Sequence, residues 1–156
     1  MSTGPEVNFQ TTLLVRDTCL CLHLQRAARA VARRFDVALK PAGLTNGQFS
    51  LMMSLNRPIM PGVPLATVGS LAELLGMDRT TVTASARILV DRGLVTIQAE
   101  PGDRRSKVLR LTPEGMRVLA DATPIWRRVH AELEGLLGDV EPERLRKDLR
   151  VLAGSG

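Results

Sequence analysis

Gly76 separates two short amphipathic segments, and this arrangement limits the possible folds more than any other feature of the chain. Before it, apolar residues recur at helical spacing over about 67–75. After it, Asp78 is suited to cap a helix over about 79–92, whose apolar positions share one face. Glycine readily adopts the left-handed conformation that ends a helix. Two short helices joined by such a tight turn are typical of a helix-turn-helix motif.

A β-hairpin is predicted directly after the second helix. Residues 94–100 are rich in β-formers, the next three residues read Pro-Gly-Asp, and residues 107–111 supply a return strand. The hairpin follows the helix-turn-helix in order and spacing, so the two signals support each other. The sequence therefore predicts a mainly α fold with a small β-hairpin wing, that is, a winged helix-turn-helix over residues 44–112.

Long helical segments flank this winged region. Residues 10–40 contain neither Pro nor Gly, and their apolar residues recur as in one long amphipathic helix. Further helices are predicted over about 113–137 and up to about 152. Apolar stripes of this length exceed what a small winged core can cover, so we predict a homodimer. The predicted parts are a flexible tail at 1–9 and a dimerisation region at 10–43 and 113–156 that flanks the winged region.

The second short helix and the hairpin carry side chains suited to double-stranded DNA. Arginine can fork onto guanine, and threonine offers a hydroxyl to base edges and a methyl group to thymine. Cations on a protruding turn suit a minor groove or the phosphates. The candidate DNA-binding residues are Arg79, Thr80, Thr81, Thr83, Ala84 and Arg87 on the helix, and Asp103, Arg104, Arg105, Ser106 and Lys107 on the hairpin. A two-fold dimer predicts a pseudo-palindromic operator.

Composition favours a DNA partner and disfavours other classes of function. The formal net charge is +5, while aromatic residues are only 3%, which argues against binding single strands by base stacking. The chain lacks the glycine-rich phosphate motifs of nucleotide enzymes and the spacing of zinc ligands, so no enzyme activity, cofactor or resident metal is predicted. We expect no membrane span and no secretory signal, hence a cytoplasmic protein with reduced cysteines.

Cys19, Cys21 and His23 form a candidate sensing group near the start of the first long helix. Cys19 and His23 share a face, whereas Cys21 points about 200° away from Cys19, so a disulfide between the two is geometrically poor. Three interpretations stand. The thiols are apolar packers, or a thiol sensor activated by the helix N-terminus and Arg16, or part of a soft-metal site shared across a dimer.

Several segments resemble the MarR family of bacterial transcription regulators. They are Leu-Thr-Asn-Gly-Gln-Phe at 44–49, Leu-Ala-Glu-Leu-Leu-Gly at 71–76, Asp-Arg-Gly-Leu-Val at 91–95, Gly-Asp-Arg-Arg-Ser at 102–106 and Leu-Thr-Pro-Glu-Gly at 111–115. The resemblance implies a homodimeric winged-helix repressor or activator whose terminal helices intertwine. It also implies a recognition face from Arg79 to Arg87, Arg104 or Arg105 in the minor groove, and Asp103 holding the wing arginine.

The chain departs from the family's pattern at three positions, Ala84, Phe35 and Asn46. Many members carry an arginine where this chain has Ala84, so the operator sequence of those members cannot be assigned to this chain. Cys21 falls where the organic-hydroperoxide sensors of the family carry their reactive cysteine. Their tyrosines are replaced by Phe35 and Asn46 here, which weakens a peroxide-sensing interpretation.

A small aromatic or anionic effector is the family's usual alternative to an oxidant. The candidate anion partners are Arg16, His23, Arg26 and Arg29, and the candidate apolar pocket residues are Met52, Met53 and Trp126. The sequence therefore predicts a sequence-specific regulator of transcription, a repressor released from its operator by a small ligand or by cysteine modification. The alternative is an architectural or adaptor protein that uses the winged fold without sensing an effector.

Overall fold

The computed structural model describes residues 7–100 and 102–154 and confirms a mainly helical fold with one hairpin. The helices and strands, in chain order, are α1 (Phe9–Thr18), α2 (Leu20–Leu39), a 3-10 turn (Lys40–Ala42), α3 (Asn46–Leu55), α4 (Val68–Leu75), α5 (Arg79–Asp91), β1 (Val95–Glu100), β2 (Asp103–Leu111), α6 (Pro113–Gly135) and α7 (Pro142–Leu152). Residues 1–6 of the predicted tail lie outside the described residues, and Asn8 caps α1.

The prediction of one long helix over 10–40 is wrong, because the helix breaks at Cys19. This residue has φ −70° and ψ 107°, an extended conformation that ends α1 and begins α2. The Thr18 hydroxyl donates to the Leu14 carbonyl at 2.7 Å, a side-chain bond to the preceding turn that bends helices. The Nε2 atom of His23 lies 3.2 Å from the Asp17 carbonyl oxygen at the end of α1. Because side-chain contacts accompany this break, the sequence there contains no proline or glycine that would predict it.

The helix-turn-helix forms as its sequence predicts. Thr67 caps α4 in a capping box with Ser70, and Gly76 ends the helix with φ 62°. Asp78 then caps α5, whose Val82 and Leu89 are fully buried. Local capping signals therefore set the bounds of both helices.

The wing is an antiparallel pair whose base joins the helix-turn-helix. The register runs from Val95 opposite Leu111 to Ala99 opposite Lys107. A third segment joins the sheet at its base, because the Leu109 amide donates to the Ala66 carbonyl at 2.8 Å. This segment leads directly into α4, so the wing and the first helix of the motif are tied together.

The hydrophobic core lies in the winged region and in the parts of α2 and α6 that pack on it. Leu39, Met52, Leu71 and Leu109 are among its fully buried side chains. Neither α1 nor α7 contributes a buried residue. The protein therefore has a packed central part and terminal helices that expose much of their apolar surface.

Gly115 allows the first turn of α6 to lie against the end of the winged region. A Cβ atom at this position would collide with the backbone carbonyl oxygen of Leu94. The Thr112 amide donates to the same carbonyl at 3.1 Å. Only glycine permits this close approach without backbone movement.

We predict that Gly115→Ala lowers the free energy of unfolding by about 3 kcal/mol, because the added methyl group meets a backbone atom that cannot rotate away. Gly47→Ala is the matched control, since a Cβ at Gly47 meets no atom within 4 Å and alanine favours a helix. Urea unfolding measures both. Equal stability of the two variants would contradict the close approach.

Candidate nucleic-acid interface

The outer face of α5 presents all six predicted DNA-binding residues of that helix. Arg79, Thr80, Thr81, Thr83, Ala84 and Arg87 are each exposed. The opposite face is buried, with Val82 at 1% and Ala86 and Leu89 at 0% of their surface. The helix therefore offers a face of short side chains between two guanidinium groups, a shape that suits a major groove.

Two of the threonine hydroxyls on this face are already engaged. The Thr81 hydroxyl donates to Asp78 Oδ2 at 2.9 Å, and the Thr83 hydroxyl donates to the Arg79 carbonyl at 2.8 Å. Their hydroxyl protons are therefore used within the protein. In this arrangement each residue offers DNA a methyl group and an oxygen that can accept a hydrogen bond.

The wing presents its basic residues on a bulge. Glu100 pairs with Asp103 while Ala99 pairs with Lys107, so residues 104–106 have no partner on β1. β2 begins at Asp103, whereas the predicted return strand begins at residue 107. The difference arises because β2 includes the bulge. A bulge bends its strand and changes the direction of the side chains that it carries. Arg104 and Arg105 are exposed there.

Asp103 contacts the backbone of the wing arginine instead of its guanidinium. Its Oδ1 accepts from the Arg105 amide at 2.9 Å. In this structure, the contact of Asp103 with the wing arginine is therefore made to the backbone of Arg105. The carboxylate instead fixes the turn from which the Arg105 side chain extends.

One groove of about 500 Å³ joins α5 to the wing. Arg79 and Thr83 line it from the helix, and Arg105 and Lys107 line it from the wing. Three residues at the start of α4 also line the groove, Thr67, Val68 and Gly69. They were not predicted as site residues, although a threonine at this position is a signal for a helix cap. A Cβ at Gly69 would collide with the Arg79 guanidinium, so glycine makes room for that side chain.

The two cysteines lie at the break between α1 and α2. Cys19 is half-buried at the N-cap of α2, and Cys21 is exposed and accepts from Gln25 Nε2 at 3.3 Å. Arg16 does not face a thiol, because its Nε atom pairs with Asp17 Oδ1 at 2.6 Å. The predicted activation of a thiol by Arg16 is therefore not supported by this geometry.

A pocket of about 500 Å³ lies between α3 and α6. Met53 and Trp126 line it as predicted, with Arg127 also present, whereas Met52 is wholly buried in the core. The prediction of Met52 as a pocket residue is wrong, because the two methionines lie on different sides of α3. The Trp126 ring stacks on Phe49 at 6.2 Å and on His130 at 4.7 Å between centroids.

Residues 42–106 match the sequence model of the MarR family. The transcriptional regulator HosA of Escherichia coli O111:H- is 32% identical over 100 residues, which are 64% of this chain and 70% of that protein. The chain belongs to the MarR family.

The chain is similar to two solved structures over nearly the whole length of each. The transcriptional regulator MosR of M. tuberculosis, in complex with DNA, is 36% identical with a TM-score of 0.75, over 88% of this chain and 95% of that one. The repressor CouR, bound to a 23-mer DNA duplex, is 29% identical with a TM-score of 0.75, over 96% and 99%. As a MarR-family member, the chain is a DNA-binding transcription regulator with a winged helix fold.

Among the described residues, none of the helices combines the length and the apolar character that spanning a bilayer requires. Within 7–100 and 102–154, no three His, Cys, Asp or Glu side chains come close enough together to hold a metal ion. The relatives are transcriptional regulators, not enzymes.

We predict that Asp78→Ala lowers the melting temperature by about 3 °C at pH 7. Hydrogen bonds from the Thr81 amide and hydroxyl hold the pKa of the Asp78 carboxyl below its usual range. A carboxyl whose pKa is lowered by folding stabilises the protein above its unfolded pKa, and this contribution is lost as the pH falls through the folded pKa. The difference between the two proteins should therefore shrink below about pH 4. Thermal unfolding at pH 7 and pH 3 measures it, with Asp78→Asn as the control that keeps a cap. A difference independent of pH would contradict the role of the carboxylate.

Proposed function

We propose that the chain is a homodimeric, sequence-specific repressor that reads a pseudo-palindromic operator. The groove shared by α5 and the wing carries this proposal, because it brings Arg79, Thr83 and Arg105 to one surface. In this role the outer face of α5 enters a major groove, and the wing arginines reach the adjacent minor groove. The DNA-bound relatives MosR and CouR support the same mode of binding.

The apolar surface of the terminal helices supports the dimer. Leu20 and Leu24 on α2 are 65% and 38% exposed, and Val151 and Leu152 on α7 are 61% and 57% exposed. Packing of these helices between two copies would remove that surface from water. Residues 10–43 and 113–156 are therefore our proposed dimerisation region, and 44–112 our proposed DNA-binding region.

The pocket between α3 and α6 is our proposed effector site. Its apolar walls suit a small aromatic ring, and Arg127 at its edge suits an anionic group. Because α3 belongs to the winged region and α6 runs into the dimerisation region, a ligand held between them would change the spacing of the two recognition helices. Modification of Cys19 or Cys21 at the α1–α2 break is the second proposed input. Such a regulator would act in the cytoplasm.

We predict that Arg105→Gln weakens operator binding about tenfold, since it removes one charged contact of about 1–3 kcal/mol. The measurement is fluorescence anisotropy with a duplex taken from upstream of the protein's own gene and with a scrambled duplex, at several salt concentrations. Arg117→Gln is the matched control, because its guanidinium is paired with Glu114 on α6. Equal, steeply salt-dependent binding to both duplexes would instead favour the architectural or adaptor function.

We further predict that Leu20→Asp converts the dimer to a monomer at micromolar concentration and reduces operator affinity. An aspartate in the dimer contact would be buried without a partner. Ile59→Asp is the matched control, since Ile59 is 68% exposed in the α3–α4 loop and Leu20 is 65% exposed. Sedimentation velocity distinguishes them. A Leu20→Asp protein that sediments like wild type would contradict the proposed dimer contact.

A further inference from the structure

Gly69, in the first turn of α4, lies directly against the side chain of Arg79 from α5. A Cβ atom at Gly69 would collide with the Nη2 atom of Arg79, and it would lie 3.3 Å from the Cζ atom and 3.5 Å from the Nε atom of the same residue. All three atoms belong to one guanidinium group. The guanidinium of Arg79 therefore occupies the space that a side chain at position 69 would take.

The backbone at Gly69 does not itself require a glycine. Gly69 is the second residue of α4, and it is not among the glycines with a positive φ. Alanine could therefore adopt the same backbone conformation, and alanine favours a helix more than glycine does. The missing side chain at this position makes room for the neighbouring arginine and is of no benefit to the helix.

The Arg79 guanidinium has no acidic partner within the described part of the chain. No carboxylate oxygen there lies within 4.0 Å of it. Asp78, its neighbour in sequence, accepts hydrogen bonds from Thr81, and Asp103, which lines the same groove, accepts one from the Arg105 amide. The guanidinium also lies near the N-terminal ends of α4 and α5, where helix dipoles place partial positive charge. It is therefore available to an electronegative partner outside the chain.

The contact with Gly69 places this guanidinium inside the groove between α5 and the wing. Gly69 and Arg79 both line that groove, as does Thr83, one turn further along α5. A guanidinium that is held in one direction can fork onto the O6 and N7 atoms of a guanine. Contacts with phosphates carry no direct information about sequence. The direction of the Arg79 side chain, as well as its charge, therefore decides what it recognises.

We propose that Gly69 is a positioning residue for base recognition. Because it has no side chain, the Arg79 guanidinium lies over the first turn of α4, and from there it binds one guanine in each half of the operator. This inference rests on the proposed function, since it requires that α5 enters the major groove. Alanine at position 69 would displace only the far end of a flexible side chain, so it would alter the preferred base pair and leave the fold and the charge unchanged.

The first test is selection from a library of duplexes with a random central sequence, carried out with the full chain and with the variants Gly69→Ala and Arg79→Gln. We expect the wild-type protein to select a two-fold symmetric motif. Both variants should lose the preference for guanine at the same position of each half-site and keep the rest of the motif. A wild-type protein that selects no motif would overturn the proposed function and this inference with it. Selection of the unchanged motif by Gly69→Ala would overturn this inference alone.

The second test measures affinity by fluorescence anisotropy for the selected duplex and for a scrambled duplex. We expect Gly69→Ala to bind the selected duplex about tenfold more weakly. Its affinity for the scrambled duplex should not change, because every charge is retained. Arg79→Gln should weaken binding to both duplexes. The double variant should bind as Arg79→Gln does, since Gly69 acts only through Arg79. Additive losses in the double variant would refute the positioning role.

Gly47→Ala is the matched control for an added methyl group. Gly47 is also the second residue of its helix, α3, and a Cβ atom there would meet no atom within 4 Å. We expect Gly47→Ala to bind both duplexes like the wild-type protein. Thermal unfolding should show that neither alanine variant melts below the wild-type protein, because alanine favours a helix. Weaker DNA binding by Gly69→Ala together with a lowered melting temperature would point to a damaged fold and would contradict the proposal.

Discussion

The structure depends on the junction where α5, the wing and α6 meet. The Thr112 hydroxyl donates to the Gly93 carbonyl at 2.7 Å and accepts from the Gly115 amide at 2.9 Å. Its own amide donates to the Leu94 carbonyl at 3.1 Å. These bonds fix the end of α5, the start of β1 and the first turn of α6 relative to one another. Hydrogen bonds through Thr112 therefore connect these three elements directly.

The two parts of the chain are stabilised by different means. The winged region has a continuous buried core, and the described residues contain no buried polar side-chain atom without a hydrogen bond. The C-terminal part instead shows exposed ion pairs such as Arg117 with Asp121 and Arg146 with Glu134. Exposed pairs contribute little to stability. The winged region therefore has its own core, whereas the terminal helices leave much of their apolar surface exposed.

The sequence predicts those features that are set by neighbouring residues. The cap at Asp78 and the left-handed glycine at 76 are local signals, and each lies where it was expected. The exposed face of α5 follows from helical periodicity alone. The MarR resemblance, based on contiguous motifs, is confirmed by the family comparison.

The predictions that failed depend on contacts that no local pattern encodes. The break at Cys19 comes from hydroxyl and ring contacts within a run of good helix formers. The bulge of the wing depends on how β1 and β2 align, which places Arg104 and Arg105 outside the ladder. The positions of Met52 and Met53 depend on which side of α3 meets α6. In each case the decisive partner lies on another turn or another element.

The aromatic stack between α3 and α6 has a spectroscopic consequence. Trp126 is the only tryptophan of the chain, which contains no tyrosine. Near-ultraviolet emission therefore originates from a single indole, held between Phe49 of the winged region and His130 further along α6. The unmodified protein thus carries an optical probe at the point where its winged region meets α6.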